Sequence, residues 1–568
     1  MKPYKPSKMV NWFEPGMLFQ TGLRSVVSAL FGNYADRRET EAALSPLSDE
    51  GWEEYQKEYA GRQEIWIDYI CDTGDGFNPT FSVASLAAQK DLKVHLPDDS
   101  EKILPRGKLL LLGGDQVYPT PAGGLYKQKF SIPFQSALPE NSVKDDIPHL
   151  YAIPGNHDWY DGLSGFLKLF CQQRMIGNWQ TKQPRSYFAR PLPNNYWIWA
   201  TDIQLNEDID KPQLDYFLEI ATNHMQPNSK VILITAEPAW IYKELVKDDT
   251  SYDRFRFFID FYITGFKVND VKRGYQIATI ITGDLHHYSH YCTDDSGLEA
   301  NHYFGAGGGG AFLHLTHNLP QKLNKVKQNL KLHATFPDRA QSYKLLTGNL
   351  LFFIKNRYFS ALLGGIYLLF FWLLRSSDSS TLSFSCQHSF ANFSIYLGNV
   401  LINTPFLSVL SISLIAGFWK FTDTTSYARG VQWFGALHGL LQCISIYAMI
   451  WLMAQLPCLH TTFGIAAFLI MLVAAGGIWG GFIMGIYLFL SNILFGNHIN
   501  EASSSLACED YKCFLKLHIN QEGLTIYPIG IKKATKKWSI VNYANGVSIK
   551  GELPEIHLIE KPVFIKSN

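Results

Sequence analysis

Polar side chains that can bind metal ions follow four apolar runs of the sequence, at the points where the runs end. The blocks read Ile70-Cys71-Asp72-Thr73-Gly74-Asp75-Gly76, Leu112-Gly113-Gly114-Asp115, Ile153-Pro154-Gly155-Asn156-His157-Asp158 and Ile281-Thr282-Gly283-Asp284-Leu285-His286-His287. Such apolar runs are typical of buried strands, and ligand sites in open α/β sheets lie at the carboxyl ends of strands. We therefore expect the Asp, Asn and His side chains of these blocks to meet at one site.

Carboxylate oxygen, amide oxygen and imidazole nitrogen are the ligands of hard and borderline divalent ions such as Mn, Mg, Fe and Zn. One carboxylate can also bridge two ions. Two ions about 3.5–4 Å apart can bind both oxygens of a phosphate ester and share a hydroxide nucleophile. The sequence therefore predicts a site for two divalent metal ions that hydrolyses a phosphate mono- or diester.

The blocks Gly114-Asp115, Gly155-Asn156-His157-Asp158 and Gly283-Asp284-Leu285-His286, in that order, resemble the calcineurin-like metallophosphoesterase superfamily. The resemblance covers residues 61–315. It implies a β-sandwich flanked by helices. It also implies that Asp115 bridges the two ions, that Asn156 binds one ion and His286 the other, and that His157 lies near the leaving group.

Three positions depart from the pattern of that superfamily, and each lacks a usual imidazole. Gly74 stands where a histidine is expected, and Asp75 could replace it. Ala236 aligns with a histidine ligand, so that its neighbour Glu237 is the candidate replacement, and Asp284 takes the place of a third histidine. Carboxylates in place of imidazoles favour Mn or Mg over Zn. The same changes could mean that one metal ion is lost.

Each assigned residue also has a structural explanation, because Asp, Asn and Glu are common in turns and at helix starts. The residues to which this alternative applies are Asp72, Asp75, Asp115, Asn156 and Glu237. His287 follows His286 directly and would point to the opposite side of an extended segment. We expect His287 to support the site, with metal binding as the alternative.

The composition points to a membrane rather than to nucleic acid. Of the 568 residues, 47% are hydrophobic and only 18% are charged, below the roughly 25% usual for soluble domains. Lys+Arg and Asp+Glu both number 50. With a formal net charge of zero there is no overall basic field to attract a polyanion, so no nucleic-acid partner is predicted.

Four apolar runs approach the length of about 20 residues that a membrane-spanning helix needs. They lie near 358–374, 396–419, 432–455 and 463–493. Lysine and arginine cluster before the first run, between the second and third, and after the fourth. By the positive-inside rule, both termini should face the cytoplasm. Cys386 and Cys458 would then share the far side, either as a disulfide or as two free thiols.

The sequence thus divides into four predicted parts: a helical or extended lead-in over 1–60, a metallophosphoesterase-like domain over 61–345, a transmembrane region of about four helices over 346–496, and a small β-rich cytoplasmic tail domain over 497–568. The predicted fold class is α/β. It comprises a metallophosphoesterase-type β-sandwich flanked by helices, then an α-helical transmembrane bundle and the C-terminal β domain.

The predicted function is that of an integral, multi-pass membrane protein that hydrolyses a phosphoester at the bilayer, with a lipid-linked ester as one candidate substrate. The metal ligands would be Asp72, Asp115, Asn156, Asp284 and His286. His157 would be the catalytic residue that stabilises or protonates the leaving oxygen. The alternative is a catalytically degenerate domain that binds phosphate or a nucleotide and regulates the membrane helices as a sensor. The missing imidazoles motivate this alternative.

Overall fold

The computed structural model describes residues 3–31, 51–121, 124–140, 142–203, 209–293, 299–327, 329–377, 390–424, 430–453, 462–543 and 546–566. The chain divides into two compact units. The first contains Met1–Val10, Thr21–Ser342 and Cys508–Asn568, and the second contains Asn11–Gln20 and Tyr343–Ala507.

The strands all lie in the first unit. In chain order they are β1 Ile65–Ile70, β2 Asp91–His95, β3 Glu101–Pro105, β4 Leu109–Leu112, β5 His149–Ala152, β6 Met175–Ile176, β7 Trp179–Thr181, β8 Phe188–Pro191, β9 Tyr196–Ala200, β10 Lys230–Ile234, β11 Lys267–Val268, β12 Val271–Lys272, β13 Gln276–Thr282, β14 Tyr288–Cys292, β15 His302–Ala306, β16 Lys331–Phe336, β17 Lys512–Ile519, β18 Gly523–Ile531, β19 Trp538–Tyr543, β20 Gly546–Gly551, β21 His557–Leu558 and β22 Val563–Lys566.

The α-helices in the described part of the chain are Pro15–Phe31, Trp52–Tyr55, Phe77–Ala87, Ile132–Ala137, Asn156–Trp159, Ser164–Phe170, Lys211–Glu219, Ala239–Leu245, Ser251–Ile259, Arg339–Leu346, Phe352–Lys355, Arg357–Ser377, Phe390–Asn403, Pro405–Phe421, Val431–Met453, Thr462–Phe495 and Ile499–Ser504.

Two large sheets form the framework of the first unit. The first sheet has the strand order β21-β18-β17-β1-β4-β5-β7-β6, with β22 paired to β18. The second has the order β16-β14-β15-β13-β10-β9-β8. β1, β4 and β5 are parallel in the first sheet, and β9, β10, β13 and β15 are parallel in the second. The predicted site blocks therefore follow parallel strands of two different sheets.

Side chains of both sheets share one hydrophobic core, which includes Ile67 of β1, Ile232 of β10 and Leu515 of β17. Helices cover other faces of the sheets: Phe77–Ala87 packs with residues of β4, and Lys211–Glu219 packs with residues of β9. The four leucines of β4 are all buried, as expected for a parallel strand that is covered on both faces. The predicted mixed α/β architecture, with sheets and flanking helices, is confirmed.

Four strands of the C-terminal segment, β17, β18, β21 and β22, extend the first sheet, whereas β19 and β20 form a two-stranded sheet of their own. Most of the tail expected as a small β-rich domain over 497–568 thus belongs to the first compact unit. β17 lies between β1 and β18 and pairs with β1 antiparallel, with Ile67 opposite Leu517. The buried Lys516 ammonium pairs with the Asp68 carboxylate across these two strands. These partners lie 448 positions apart. The alternating pattern of the tail predicted strands correctly, but a local pattern contains no information about so distant a partner.

Among the described residues of the second unit, three helices are long and apolar enough to cross a membrane: Arg357–Ser376 with 20 residues, Val431–Met453 with 23 and Thr462–Phe495 with 34. The span expected at 396–419 is instead two helical segments, Asn392–Asn403 and Pro405–Phe421, bent by 103° relative to each other. The bend falls at Pro405, because proline disfavours helical backbone at the preceding residue. Thr404 accordingly has φ −127° and ψ 75°.

Candidate metal centre

Three of the predicted carboxylates follow strand ends in the same unusual backbone conformation. Asp72 after β1, Asp115 after β4 and Asp284 after β13 have φ values of 57°, 50° and 65°. Positive φ is uncommon for residues other than glycine, although Asp tolerates it better than most. Strained residues of this kind cluster at functional sites. Their common conformation is therefore independent support for the site predicted from residue type.

Backbone hydrogen bonds bring these three turns together. The Asp72 N–H donates to the carbonyl of Gly114 (3.0 Å) and the Thr73 N–H donates to the carbonyl of Asp115 (2.9 Å). The Asp284 N–H donates to Oδ2 of Asp72 (2.9 Å). Turns from both sheets thus meet at the Asp72 carboxylate.

Gly74 occupies the position at which a histidine was expected, and the backbone requires glycine there. Its φ is 62°, and a Cβ atom at this position would lie 2.1 Å from the carbonyl oxygen of Gln116. Gly155 is needed for a similar reason, since its Cβ would lie 2.0 Å from Oδ1 of Asp115. The first missing imidazole is therefore a consequence of how tightly these loops pack.

Tyr118 lies at the centre of the site, although the sequence analysis did not include it. Its hydroxyl oxygen is 3.1 Å from Oδ1 of Asp72 and 3.1 Å from Oδ2 of Asp115. It is also 2.9 Å from Nε2 of His286. The spacing Asp115-Gln116-Val117-Tyr118, three residues beyond the aspartate in the same loop, is the signal that could have identified it.

The polar atoms around the Tyr118 hydroxyl group offer more lone pairs than protons. Nδ1 of His286 donates to the carbonyl of Phe312 (2.8 Å), because a carbonyl can only accept. Nε2 of neutral His286 is then an acceptor, as are the carboxylates of Asp72 and Asp115. When both carboxylates are ionised, one phenol proton cannot satisfy three acceptors. A cation at this position would satisfy all three acceptors. The side chains around Tyr118 are therefore suited to bind a metal ion.

The electrostatics of the carboxylates indicate the same need for positive charge. Burial raises the pKa of Asp72 well above its usual value, and the charges of Asp115 and Asp284 raise it further. The pKa of Asp115 is raised by burial and then by the charge of Asp284. Burial also raises the pKa of Asp284. Several carboxylates that resist ionisation together are typical of a cation site, where a bound ion compensates their charge.

Glu237 and Tyr242 extend the site on the side of Asp284. The Tyr242 hydroxyl donates to Oδ2 of Asp284. Burial raises the pKa of Glu237 to about 8, and the charge of Asp284 adds to this shift. A partly buried carboxyl group thus lies next to the position of the second missing imidazole. Metal binding by Glu237 stays a prediction.

His157 is held beside Tyr118 by its own backbone and ring. Its N–H donates to Oδ1 of Asp115 (2.9 Å), and its ring Nδ1 donates to the carbonyl of Pro119 (2.7 Å). The ring centroid lies 4.4 Å from that of Tyr118. Burial lowers the pKa of His157. Asn156 begins the short helix Asn156–Trp159 that also carries His157, and its side chain is partly exposed.

Two residues proposed as alternative ligands have other partners. Oδ1 of Asp75 accepts the N–H of Val10 (2.7 Å) and Oδ2 accepts the N–H of Phe312 (3.2 Å). His287 Nδ1 donates to the carbonyl of His314 (3.2 Å), and burial lowers its pKa to about 4. Both arrangements favour the structural explanation that the sequence analysis had left open for these residues.

In the described part of the chain, one group of metal-binding side chains has three donor atoms all within 4.8 Å of one another, and it consists of His290, His333 and Glu560. It lies outside the predicted site. The donors of the predicted site are more widely spaced around Tyr118, so the number and the identity of the ions there stay predictions.

No family model and no curated protein matches the chain. Among solved structures, part of the chain is similar to GAP50, described as the anchor in the inner membrane complex of Plasmodium, with 11% identity, a TM-score of 0.31 and coverage of 44% of this chain and 74% of that one. Another similar structure is PhoD, with 8% identity, a TM-score of 0.28 and coverage of 48% of this chain and 62% of that one. The chain thus spans less than two thirds of PhoD.

Proposed function

We propose that the chain is a membrane-anchored, metal-dependent phosphoesterase that hydrolyses a phosphate mono- or diester with two divalent ions. The observation that carries this proposal is the convergence of Asp72, Asp115 and His286 on Tyr118 with too few protons for the acceptors present. The two sheets that share a core and end at this site are the arrangement expected of the phosphoesterase sandwich.

The proposed metal ligands are Asp72, Asp115, Asn156, Asp284 and His286, as predicted from the sequence, together with Tyr118. Bound divalent ions would supply positive charge for a phosphoester and acidify a water molecule. The harder, carboxylate-rich donor set favours Mn or Mg over Zn. Tyr118 belongs in this set because its oxygen already lies among three of the other ligands, and a nearby cation lowers the pKa of a coordinating hydroxyl group.

His157 is the proposed proton donor to the leaving oxygen. The hydrogen bond from Nδ1 to the carbonyl of Pro119 orients its ring. Burial lowers the pKa of this ring, which favours its neutral form before a substrate binds. The negative charge of a phosphate group favours the protonated form, which raises the pKa toward the range needed for general acid catalysis.

We also propose that the substrate lies at a bilayer surface. The same chain contains three helices long and apolar enough to span a membrane. A phospholipid head group or a lipid-linked pyrophosphate would suit a phosphoesterase held there. The positive-inside pattern places the catalytic unit in the cytoplasm in this proposal.

Hydrolysis of chromogenic phosphate mono- and diesters by the detergent-purified chain tests the proposed activity. Turnover should require added Mn²⁺ and fall by about 100-fold or more in Asp115→Asn, at least as much as for loss of a supporting partner of a metal site. Asp99→Asn is the matched control, because Asp99 is exposed but has a similar φ of 61°. Absence of turnover with either ester and with Mn²⁺, Mg²⁺ or Zn²⁺ would contradict the proposal. Phosphate binding without turnover would then favour the sensor.

A further inference from the structure

A second group of metal-binding side chains lies away from the carboxylate centre. His290 is in β14, His333 is in β16, and Glu560 lies between β21 and β22. Each offers one donor atom, and these three atoms lie within 4.8 Å of one another. The group thus joins two strands of the second sheet to the C-terminal segment that runs between two strands of the first sheet.

Two of the distances between donor atoms are close to those of a tetrahedral metal site. Nδ1 of His290 lies 2.9 Å from Oε1 and 3.2 Å from Oε2 of Glu560, and Nε2 of His333 lies 3.3 Å from Oε2. Ligand atoms about 2.0–2.1 Å from a tetrahedral zinc ion are separated from one another by about 3.3–3.4 Å. All three donor atoms lie within 4.8 Å of one another, so that small side-chain adjustments bring them to one ion.

Neighbouring groups orient the two most buried ligands. Nε2 of His290 lies 3.0 Å from Nδ1 of His302, and the tautomer with its proton on Nε2 directs the Nδ1 lone pair toward the position of an ion beside Glu560. The Tyr288 hydroxyl donates to Oε1 of Glu560. Metal-binding histidines and carboxylates in proteins are usually held by such hydrogen bonds. The arrangement therefore has outer partners as well as ligands.

The three side chains differ in exposure, and the exposed side of the group leaves a route by which an ion can enter from solvent. The side chain of His290 is 2% exposed and that of Glu560 is 9% exposed, whereas that of His333 is 59% exposed. His333 therefore reaches the ion from the solvent side. Three protein ligands leave a fourth tetrahedral position for water.

We propose that His290, His333 and Glu560 bind a transition-metal ion, with Zn²⁺ as the expected occupant, at a site separate from the phosphoesterase centre. Two imidazoles and one carboxylate suit Zn²⁺, whereas the carboxylate-rich centre favours harder ions. The ion links the C-terminal segment to the second sheet. It therefore stabilises the fold of the first unit and does not take part in hydrolysis.

Zinc analysis of the full chain in detergent tests this site. The protein is stripped with a chelator, equilibrated with Zn²⁺ and separated from free metal before elemental analysis. His333→Ala should bind one equivalent of zinc less than wild type. Because the His333 side chain is exposed, this substitution should leave the fold intact. His95→Ala is the matched control at an exposed histidine of β2. Asp115→Asn should keep the zinc bound at the second site.

A second measurement separates metal binding from a simple hydrogen-bond network. Zn²⁺ should raise the thermal unfolding midpoint of wild type and His95→Ala, and this increase should be absent in His333→Ala and in Glu560→Gln, whose amide oxygen can still accept from Tyr288. Equal zinc content and equal zinc-induced stabilisation in wild type and both site variants would overturn the proposal. That result would leave the phosphoesterase proposal standing, because Asp115→Asn tests the latter separately.

Discussion

Gly74 and Tyr118 change the interpretation of the imidazoles that the candidate centre lacks. A side chain at position 74 would collide with the Gln116 carbonyl, so this loop cannot hold a histidine in its present conformation. Tyr118 instead brings an oxygen between Asp72 and Asp115. Compared with the superfamily pattern, the site offers phenol and carboxylate oxygen in place of imidazole nitrogen. The proposed metal ion is accordingly expected to be a harder one, Mn or Mg.

Tyr118→Phe tests this interpretation at the residue scale. The ring and its packing against His157 stay, but the oxygen among the acceptors is lost. We expect metal affinity, measured by calorimetric titration, to fall by about 10- to 100-fold, with a parallel loss of phosphoesterase activity. Tyr4→Phe, which removes a hydroxyl whose contact to the Gln128 carbonyl is exposed, is the control. Unchanged metal affinity in Tyr118→Phe would exclude the hydroxyl as a ligand.

The metal-free protein should also show a pH dependence at Glu237. The pKa of this group is raised from 4.5 to about 8, mainly by burial. Its contribution to stability is therefore fully present below pH 4.5 and is lost as the pH rises through 8. With chelator present, Glu237→Gln should unfold at a higher temperature than wild type at pH 8 but not at pH 4.5. The expected shift is about 2–4 °C for each kcal/mol relieved.

Thermal unfolding followed by circular dichroism measures this difference, with the exposed Glu140→Gln as the control variant. An equal effect of Glu237→Gln at both pH values would show that the substitution acts through packing and not through the charge of the carboxylate.

At the scale of elements, β17 is the strand that makes the C-terminal segment part of the first unit. Leu515 and Leu517 of β17 are in the core shared by the two sheets. The Lys516 ammonium pairs with Asp68 of β1, and both side chains are almost fully buried. Oδ2 of Asp68 also accepts the N–H of Gly107 (2.8 Å). The ion pair, the core packing and the strand pairing of β17 therefore all involve its neighbour β1.

Lys516→Met should destabilise the first unit strongly. The variant keeps most of the apolar volume but leaves the Asp68 carboxylate buried without its cation, a change that typically costs about 3–5 kcal/mol. Chemical denaturation followed by tryptophan fluorescence measures the loss. The double variant Lys516→Met with Asp68→Asn should recover part of it, because no buried charge is left. Lys537→Met in the loop before β19 serves as an exposed control.

At the scale of the whole molecule, strand pairing constrains how often the chain crosses the membrane. β1 precedes the apolar helices and β17 follows them, yet the two strands pair in one sheet. Both must lie on the same side of a bilayer, so the number of crossings between them is even. Three uninterrupted helices are long enough to cross. The bent pair Asn392–Asn403 and Pro405–Phe421 is therefore expected to provide the fourth crossing.

Thiol labelling with a membrane-impermeant maleimide tests this topology. Cys386 and Cys458 lie outside the described residues, in the two connections that four crossings place on the same side. After reduction, both should react from one side of sealed vesicles, and Cys386→Ser and Cys458→Ser assign the signals. Four crossings place Cys508 on the opposite side. Labelling of Cys386 and Cys458 from opposite sides would mean that the bent pair does not cross.

Much of the site was predictable because its signals are local. An apolar run followed by glycine and a carboxylate specifies a strand and its turn within a few residues. The strand ends at Asp72, Asp115 and Asp284 were identified on that basis. Pro405 was also a local signal, and it should have indicated the break in the second predicted span.

The sequence by itself determined the residue types at the strand ends, the mixed α/β pattern and the long apolar helices, since each follows from side chains close together in the chain. Only the tertiary structure decided that β17 completes the sheet of β1, that the Tyr118 hydroxyl contacts Asp72 and His286, and that His290 and His333 meet Glu560. These contacts join positions far apart in the sequence. Their geometry depends on strand register and packing, for which periodicity and composition contain no signal.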